Sequence, residues 1–262
     1  MTLSQADKAT QFRTLHQRAG AFVIANPWDA GSARLLTELG FEALATSSGA
    51  SAAVRGKKDG QLSREDVLAH VREVVAATEL PVSADLENGF GDSPSHIAET
   101  IRLAAEAGVV GASIEDYTGD KARPFYDLGL ASERIAAAAE AARALGFAFT
   151  LTARSENFLR GKADLDDTIA RLKAYEAAGA DVLFAPALPD LEAVRAVCAA
   201  LGKPFSFMAG IPGKSFSVTA LAGAGVKRIS LATSLYRTAM AAVREAANEV
   251  RTAGTFGYID RL

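Results

Sequence analysis

The stretch Val82–Asp92, VSADLENGFGD, opens as an apolar strand, sets Asp85 and Glu87 in alternate positions, and closes in a glycine-rich loop. A second stretch, Val109–Tyr117, VVGASIEDY, has the same form and ends on Glu115 and Asp116. Acidic groups are costly to bury unless something positive faces them. Two apolar strands that end on carboxylates therefore predict a metal ion or an arginine between them, or else exposure to solvent. The same form recurs outward from these two. Short apolar runs stand at 21–26, 41–48, 80–86, 109–116, 147–155, 181–188, 203–210 and 226–234. Between them lie helical stretches such as 63–79, 93–108, 131–146 and 165–180, with Ser or Asp near their starts and glycine after several of their ends. The runs are continuously apolar rather than alternating, as in parallel strands covered on both faces. About eight βα units in 262 residues predict an α/β fold, a (β/α)8 TIM-type barrel in a single domain, 1–262. A doubly wound open sheet is the competing architecture, but it usually needs fewer strands. No linker, low-complexity tract or charge block marks a domain boundary.

Composition narrows the function classes. With 49% hydrophobic and 23% charged residues and a formal charge of −3, the chain has no concentration of Lys and Arg suited to a nucleic-acid partner. A single cysteine, Cys198, leaves neither a disulfide framework nor a thiolate metal cluster. The first 20 residues are mixed and charged, with no apolar core for secretion, and no apolar run approaches the ~20 residues of a membrane span. The expectation is a cytoplasmic chain with neither a membrane nor a nucleic-acid partner.

Barrel enzymes place their chemistry at the carboxyl ends of the strands, and the informative residues cluster there. Asp85 and Glu87, two apart on one strand, share a face and can address one ion together with Glu115. Hard oxygen ligands suit Mg²⁺, which keeps waters and takes only one or two carboxylates directly. Helix capping or pairing with Lys and Arg is the equal alternative. Arg154 follows the apolar run at 147–153 and suits a substrate carboxylate or phosphonate; an ion pair with Glu156 or Glu115 is the bland reading. Ser47, Ser48, Gly49 and Ala50 offer hydroxyls and approachable backbone N–H groups, or an ordinary Ser/Gly turn. Asp59 precedes a glycine, which is first of all a turn signal. His16 and His96 fall in predicted helices with polar neighbours and His70 on a helix face, so no histidine site is expected. The glycines of 223–228 read as a structural turn.

Taken in order, Asn26–Ala50 (NPWDAGSARLLTELGFEALATSSGA), Pro81–Asp92, Gly111–Tyr117 (GASIEDY) and Leu151–Phe158 (LTARSENF) resemble the isocitrate lyase/phosphoenolpyruvate mutase superfamily. The resemblance implies a (β/α)8 barrel whose eighth helix is often swapped between subunits of a homo-oligomer, usually a tetramer. It also implies a Mg²⁺ ion that holds a 2-oxo acid and stabilises a pyruvate enolate. It makes Asp85 and Glu87 the metal carboxylates, Glu115 their water-mediated partner, Ser48, Gly49 and Ala50 the substrate-carboxylate cradle, Asp59 part of the rim and Arg154 the anion site. The loop 115–128, EDYTGDKARPFYDL, departs from the pattern. Lys121 falls at the gate lysine of the lyases, but Arg123 stands where they carry the acid cysteine and no histidine follows. Phosphoenolpyruvate mutase has asparagine at that position, so Arg123 fits neither. Ala187 replaces a glutamate of the lyase pattern and Ser206 an asparagine. Isocitrate lyase activity is not expected. The leading expectation is a Mg²⁺-dependent lyase of a small 2-oxo or 2-hydroxy acid of the oxaloacetate or malate type. The runner-up is P–C bond chemistry on phosphonopyruvate, which a Lys121/Arg123 pair over the site would suit. A barrel that binds a metabolite without turnover is the third class.

Overall fold

The computed structural model describes residues 3–261. Eight parallel strands form one sheet: β1 (Phe22–Ile24), β2 (Leu44–Ala45), β3 (Val82–Asp85), β4 (Gly111–Glu115), β5 (Thr150–Arg154), β6 (Val182–Phe184), β7 (Phe205–Met208) and β8 (Val226–Ser230). Their order is β1-β8-β7-β6-β5-β4-β3-β2. Phe22 pairs with Arg228 on one side of β1, and on the other side the Ala45 N–H donates to the Ala25 carbonyl at 2.9 Å. That bond joins the two ends of the sheet and turns it into a (β/α)8 barrel, as predicted. β2 is shorter than the apolar run 41–48, because α3 (Ser48–Val54) begins directly behind it where the sequence reads as a Ser/Gly turn.

Before β1, α1 (Gln5–Gln17) is fixed by a capping box between Ser4 and Asp7. It closes the amino-terminal end of the barrel, where its Phe12 and Leu15 pack on Phe22, Ala43 and Val110. His16 departs from its expected polar setting. It is buried edge-on between Phe12 and Phe22, and its Nδ1–H donates to the Phe12 carbonyl oxygen at 2.8 Å. Around the barrel run α2 (Ala30–Glu38), α4 (Arg64–Ala76), α5 (Pro94–Glu106), α6 (Leu128–Arg143), α7 (Leu165–Ala177), α8 (Leu191–Ala200) and α9 (Val218–Gly223). Side chains capping their first turns include Ser63, Ser93, Asp164, Asp190 and Ser217.

Strand side chains alternate between two environments. Ala84, Ala112, Leu151, Ala153, Leu183 and Phe207 face the helices in the main core. Their neighbours Ser83, Ser113 and Arg228 line the barrel interior, which is unusually polar. The last helix, α10 (Ser234–Ala253), buries no residue and exposes Met240, Val243 and Val250. Among the described residues no helix is long and apolar enough to cross a membrane.

Candidate active site

The carboxyl ends of the strands open into a cleft of about 440 Å³, lined by Ser48, Asp59, Glu87, Glu115, Lys121 and Arg154 among others. Asp85, the last residue of β3, stands at its base. Its Oδ2 accepts the Ser48 N–H at 3.1 Å and its Oδ1 accepts the Glu87 N–H at 3.3 Å, while its own N–H donates to Thr46 Oγ1 at 2.9 Å. Gly49 lies against Asp59 and Thr233, and a Cβ there would come to 3.0 Å from the threonine methyl. Ala50 is fully buried in the first turn of α3.

Glu87 has φ +50°, a left-handed conformation that side-chain-bearing residues rarely adopt. Phe90, Ala187 and Ala232 share this feature, and Glu87, Ala187 and Ala232 all follow strands at the cleft end of the barrel. Such strain persists only where the surroundings hold it. The loop behind β3 is held by Arg134 of α6, which donates to the carbonyls of Gly91 at 2.6 Å, Asp92 at 2.5 Å and Asn88. Tyr126 adds a 2.6 Å bond to Asp92. A Cβ at Gly91 would collide with His96 at 2.7 Å, which explains the glycine there.

Glu87 Oε1 is buried and meets no donor. Burial first, then the negative charges of Asp85 and Asp59, push its pKa up to about 8 from the ordinary 4.5. The folded chain therefore holds this proton more tightly than the unfolded chain. The stability it contributes is complete below pH ~4.5 and is lost as pH rises through ~8. With divalent cations chelated, the wild-type Tm should fall across that window relative to Glu87→Gln. Parallel Tm curves for the two proteins would show that the carboxyl is not desolvated.

Arg154, at the end of β5, supplies the positive charge anticipated between the two strand ends. Its guanidinium lies 4.0 Å from Asp85 and 3.5 Å from Glu115, and its Nε donates to Glu156. Burial opposes its charge, but Glu156, Glu115 and Asp85 together raise its pKa. It also lies over the Phe184 ring, 5.1 Å from the centroid. Glu115 is buried and its pKa is raised, first by desolvation and then by Glu156. The neighbouring Asp116 points the other way, into the helix layer. There it accepts from Tyr175 at 2.6 Å and the Glu156 N–H at 2.8 Å and pairs with Arg171 at 3.1 Å. Asp116 is thereby part of the scaffold.

Arg160 and Tyr117 join the site without having been singled out in sequence. Arg160 lies over the Tyr117 ring at 3.9 Å, pairs with Glu156 at 2.9 Å, reaches Glu115 at 3.5 Å and lines the cleft. The four-residue spacing of Glu156 and Arg160 was the available signal, since such pairs meet on a helical turn. In the loop after β4, the Thr118 N–H donates to the Pro124 carbonyl at 3.0 Å, closing the loop on itself. Lys121 faces the cleft. The side chain of Arg123 is 87% exposed and meets only Asp120, at 3.8 Å. Cys198 lies on α8, away from the cleft, and burial pushes its thiol up to about 12.

Among the described residues no three His, Cys, Asp or Glu side chains are already gathered as a ligand set. The donor chemistry nonetheless fits a hard cation. An orphaned Glu87 oxygen stands among the like charges of Asp85 and Asp59, and Mg²⁺ needs only one or two such carboxylates beside its waters.

The family model described as phosphoenolpyruvate phosphomutase matches residues 12–251. The chain belongs to the isocitrate lyase/phosphoenolpyruvate mutase superfamily. Among superfamily structures, a protein of Burkholderia cenocepacia J2315 provisionally named a lyase/mutase is 55% identical, with a TM-score of 0.96 over 98% of this chain and 92% of that one. Oxaloacetate decarboxylase of Paraburkholderia xenovorans (strain LB400) is 31% identical over 93% of this chain and 83% of its own length. Oxaloacetate acetylhydrolase, solved with its product oxalate, is 26% identical with a TM-score of 0.88, over 97% and 89% of the two chains. The chain is thus similar to lyases and mutases across its barrel, and it is an enzyme of their superfamily.

Proposed function

We propose that this chain is a Mg²⁺-dependent carbon–carbon lyase of a small 2-oxo or 2-hydroxy carboxylic acid, of the oxaloacetate or malate type. The observation that carries the proposal is the juxtaposition at the cleft base of an unpartnered Glu87 carboxylate oxygen, Asp85 and the Arg154 fork. Superfamily relatives named for oxaloacetate support the substrate class. Asp85 and Glu87 would hold the ion, with Glu115 as an outer partner through water. The chemistry supplied by a bound Mg²⁺ is Lewis-acid stabilisation of negative charge on the 2-oxo oxygen.

The chain's own residues do the rest. Arg154 presents a planar fork that can orient a carboxylate bidentately. The backbone of Ser47, Ser48, Gly49 and Ala50 gives that carboxylate its cradle, and Asp59 closes the rim beside Gly49. Lys121 and Arg160 place positive charge on the outer wall, where the far end of the substrate would lie. In oxaloacetate the C3–C4 bond breaks, CO₂ leaves, and the electron pair stays on C3 as the enolate of pyruvate, which a proton converts to pyruvate. With its side chain out of the cleft, Arg123 contributes charge to the loop rather than a proton donor of the thiol kind. The exposed α10 supports the homo-oligomer implied by the resemblance, in which another subunit would cover Met240, Val243 and Val250.

The positive outer wall also favours a second reading, P–C cleavage or transfer on phosphonopyruvate, because Lys121 and Arg160 would suit a phosphoryl group. Release of pyruvate from oxaloacetate, phosphonopyruvate and methylisocitrate, and formation of phosphoenolpyruvate from phosphonopyruvate, should be followed with and without Mg²⁺. Turnover of oxaloacetate that needs Mg²⁺ is the expected result. Turnover of phosphonopyruvate alone would move the chain to the second reading, and tight binding without turnover of any of them would make it a metabolite-binding barrel.

A further inference from the structure

At the opposite end of the barrel from the cleft, under α1, lies a hollow of about 250 Å³. Arg13 and His16 of α1 wall it, with Thr150 and Val182, the first residues of β5 and β6, and Lys203 just before β7. It shares no residue with the cleft or with the space beneath Asp85 and Arg154. Thr150 and Arg154 are the two ends of β5. At roughly 3.3 Å per residue, the hollow therefore lies about 13 Å along the strand from Arg154.

A second hollow of about 420 Å³ adjoins the first across Arg13 and Asp181 and is walled by Arg143. Lys8 and Arg18 of the same amino-terminal segment pair with Glu79 and Glu42, but among the described residues no carboxylate pairs with Arg13, Arg143 or Lys203. Asp181 is the acid of the two hollows, and its Oδ2 already accepts the Leu151 N–H at 2.9 Å. Three cations against one carboxylate leave two positive charges uncompensated. The floor has the opposite need. Burial, then the charge of Arg228, push His16 down to about 3, so it is neutral near pH 7. Its Nδ1–H is spent on the Phe12 carbonyl, which leaves Nε2 a bare acceptor, buried and without a donor. Thr150 Oγ1 is also buried without a partner. Buried polar groups are normally bonded, so two orphans in one floor call for something to meet them.

We propose that this hollow binds a small phosphate monoester of a polyol, its phosphate between Arg13 and Lys203 and its hydroxyls on His16 and Thr150. Charge selects the phosphate. A monoester carries about −1.5 to −2 at pH 7, which matches the two free positive charges, and Arg and Lys both suit its oxygens. The floor selects the polyol, because a hydroxyl donates to the His16 acceptor and both donates to and accepts from Thr150. Size limits it. Sites for organic ligands run to about 300–1,000 Å³, so about 250 Å³ suits a ligand at the small end of that range.

Calorimetry on the full chain should show saturable binding of glycerol 3-phosphate, unchanged in Lys121→Ala, whose side chain lines the cleft. Arg13→Gln combined with Lys203→Gln should weaken that binding by about tenfold or more. Both residues are exposed, so the fold should not depend on them. Thr150→Val keeps the side-chain shape and removes the orphaned hydroxyl. It should weaken binding by about threefold or more, while the Tm of the free chain holds or rises. Inorganic phosphate, which lacks the polyol, should bind more weakly, and succinate, a dianion without hydroxyls, should not compete. Absence of glycerol 3-phosphate binding, unchanged affinity in either set of substitutions, equal affinity for inorganic phosphate, or competition by succinate overturns the proposal. Binding lost in Lys121→Ala but kept without Arg13 and Lys203 overturns it too, by placing the ester in the cleft. None of these outcomes depends on which acid the enzyme cleaves.

Discussion

Asp85→Ala should lower kcat/KM on the preferred 2-oxo acid by about 10²–10⁴-fold, the several kcal/mol that Lewis-acid stabilisation of an oxyanion contributes. The fold should survive, because little depends on this side chain in the absence of an ion. Its bonds to the Ser48 and Glu87 N–H groups are 3.1 and 3.3 Å long, and Ser113 reaches it only at 3.5 Å. Arg154 keeps Glu115 and Glu156 as partners when Asp85 is gone. Removing the charge also relieves Glu87 of one of the two carboxylates that push its pKa up. Tm should therefore stay near the wild-type value while calorimetric Mg²⁺ binding disappears. Wild-type Mg²⁺ affinity in the variant would remove Asp85 from the metal site. A large fall in Tm with binding intact would make it a structural cap instead.

The barrel was legible because each strand is a short apolar run bounded by capped helices, and that pattern leaves few topologies. Helix α3 was not legible. Its seven residues, SGASAAV, open with the composition of a turn, and only the packing behind β2 makes them helical. At the site, strand-end carboxylates advertised a cation, but neighbouring residues in a strand face opposite ways and the sequence does not say which faces in. Glu115 and Asp116 differ in this respect alone: one lines the cleft, the other is bonded to Arg171 and Tyr175. The same ambiguity hid Arg228, whose flanking Lys227 and Ile229 suggested an ordinary strand beside a glycine turn. Arg123 shows the opposite limit. Position in a loop can be counted from a motif, but the direction of an 87% exposed side chain cannot.

Arg154 separates binding from scaffolding, and its two variants should diverge. Arg154→Ala leaves Glu115 and Glu156 buried, with Arg160 as their remaining cation at 3.5 and 2.9 Å. Breaking a buried pair by removing one partner costs about 3–5 kcal/mol, and Arg160 holds the cost here toward the lower figure. At about 2–4 °C per kcal/mol for chains of somewhat smaller size, Tm should fall by roughly 6–12 °C. Arg154→Lys keeps the charge between the same carboxylates, so most of that stability should return. What lysine cannot restore is the planar fork, which engages Glu156 through Nε while Nη1 faces Glu115 and Asp85. Oxalate binding, measured by calorimetry in the presence of Mg²⁺, should therefore weaken at least a few-fold in Arg154→Lys and more in Arg154→Ala. If the lysine variant is stable and binds oxalate as the wild type does, Arg154 serves only to neutralise its acidic neighbours. The substrate carboxylate would then have to be held by Lys121 and Arg160, the remaining cations that line the cleft.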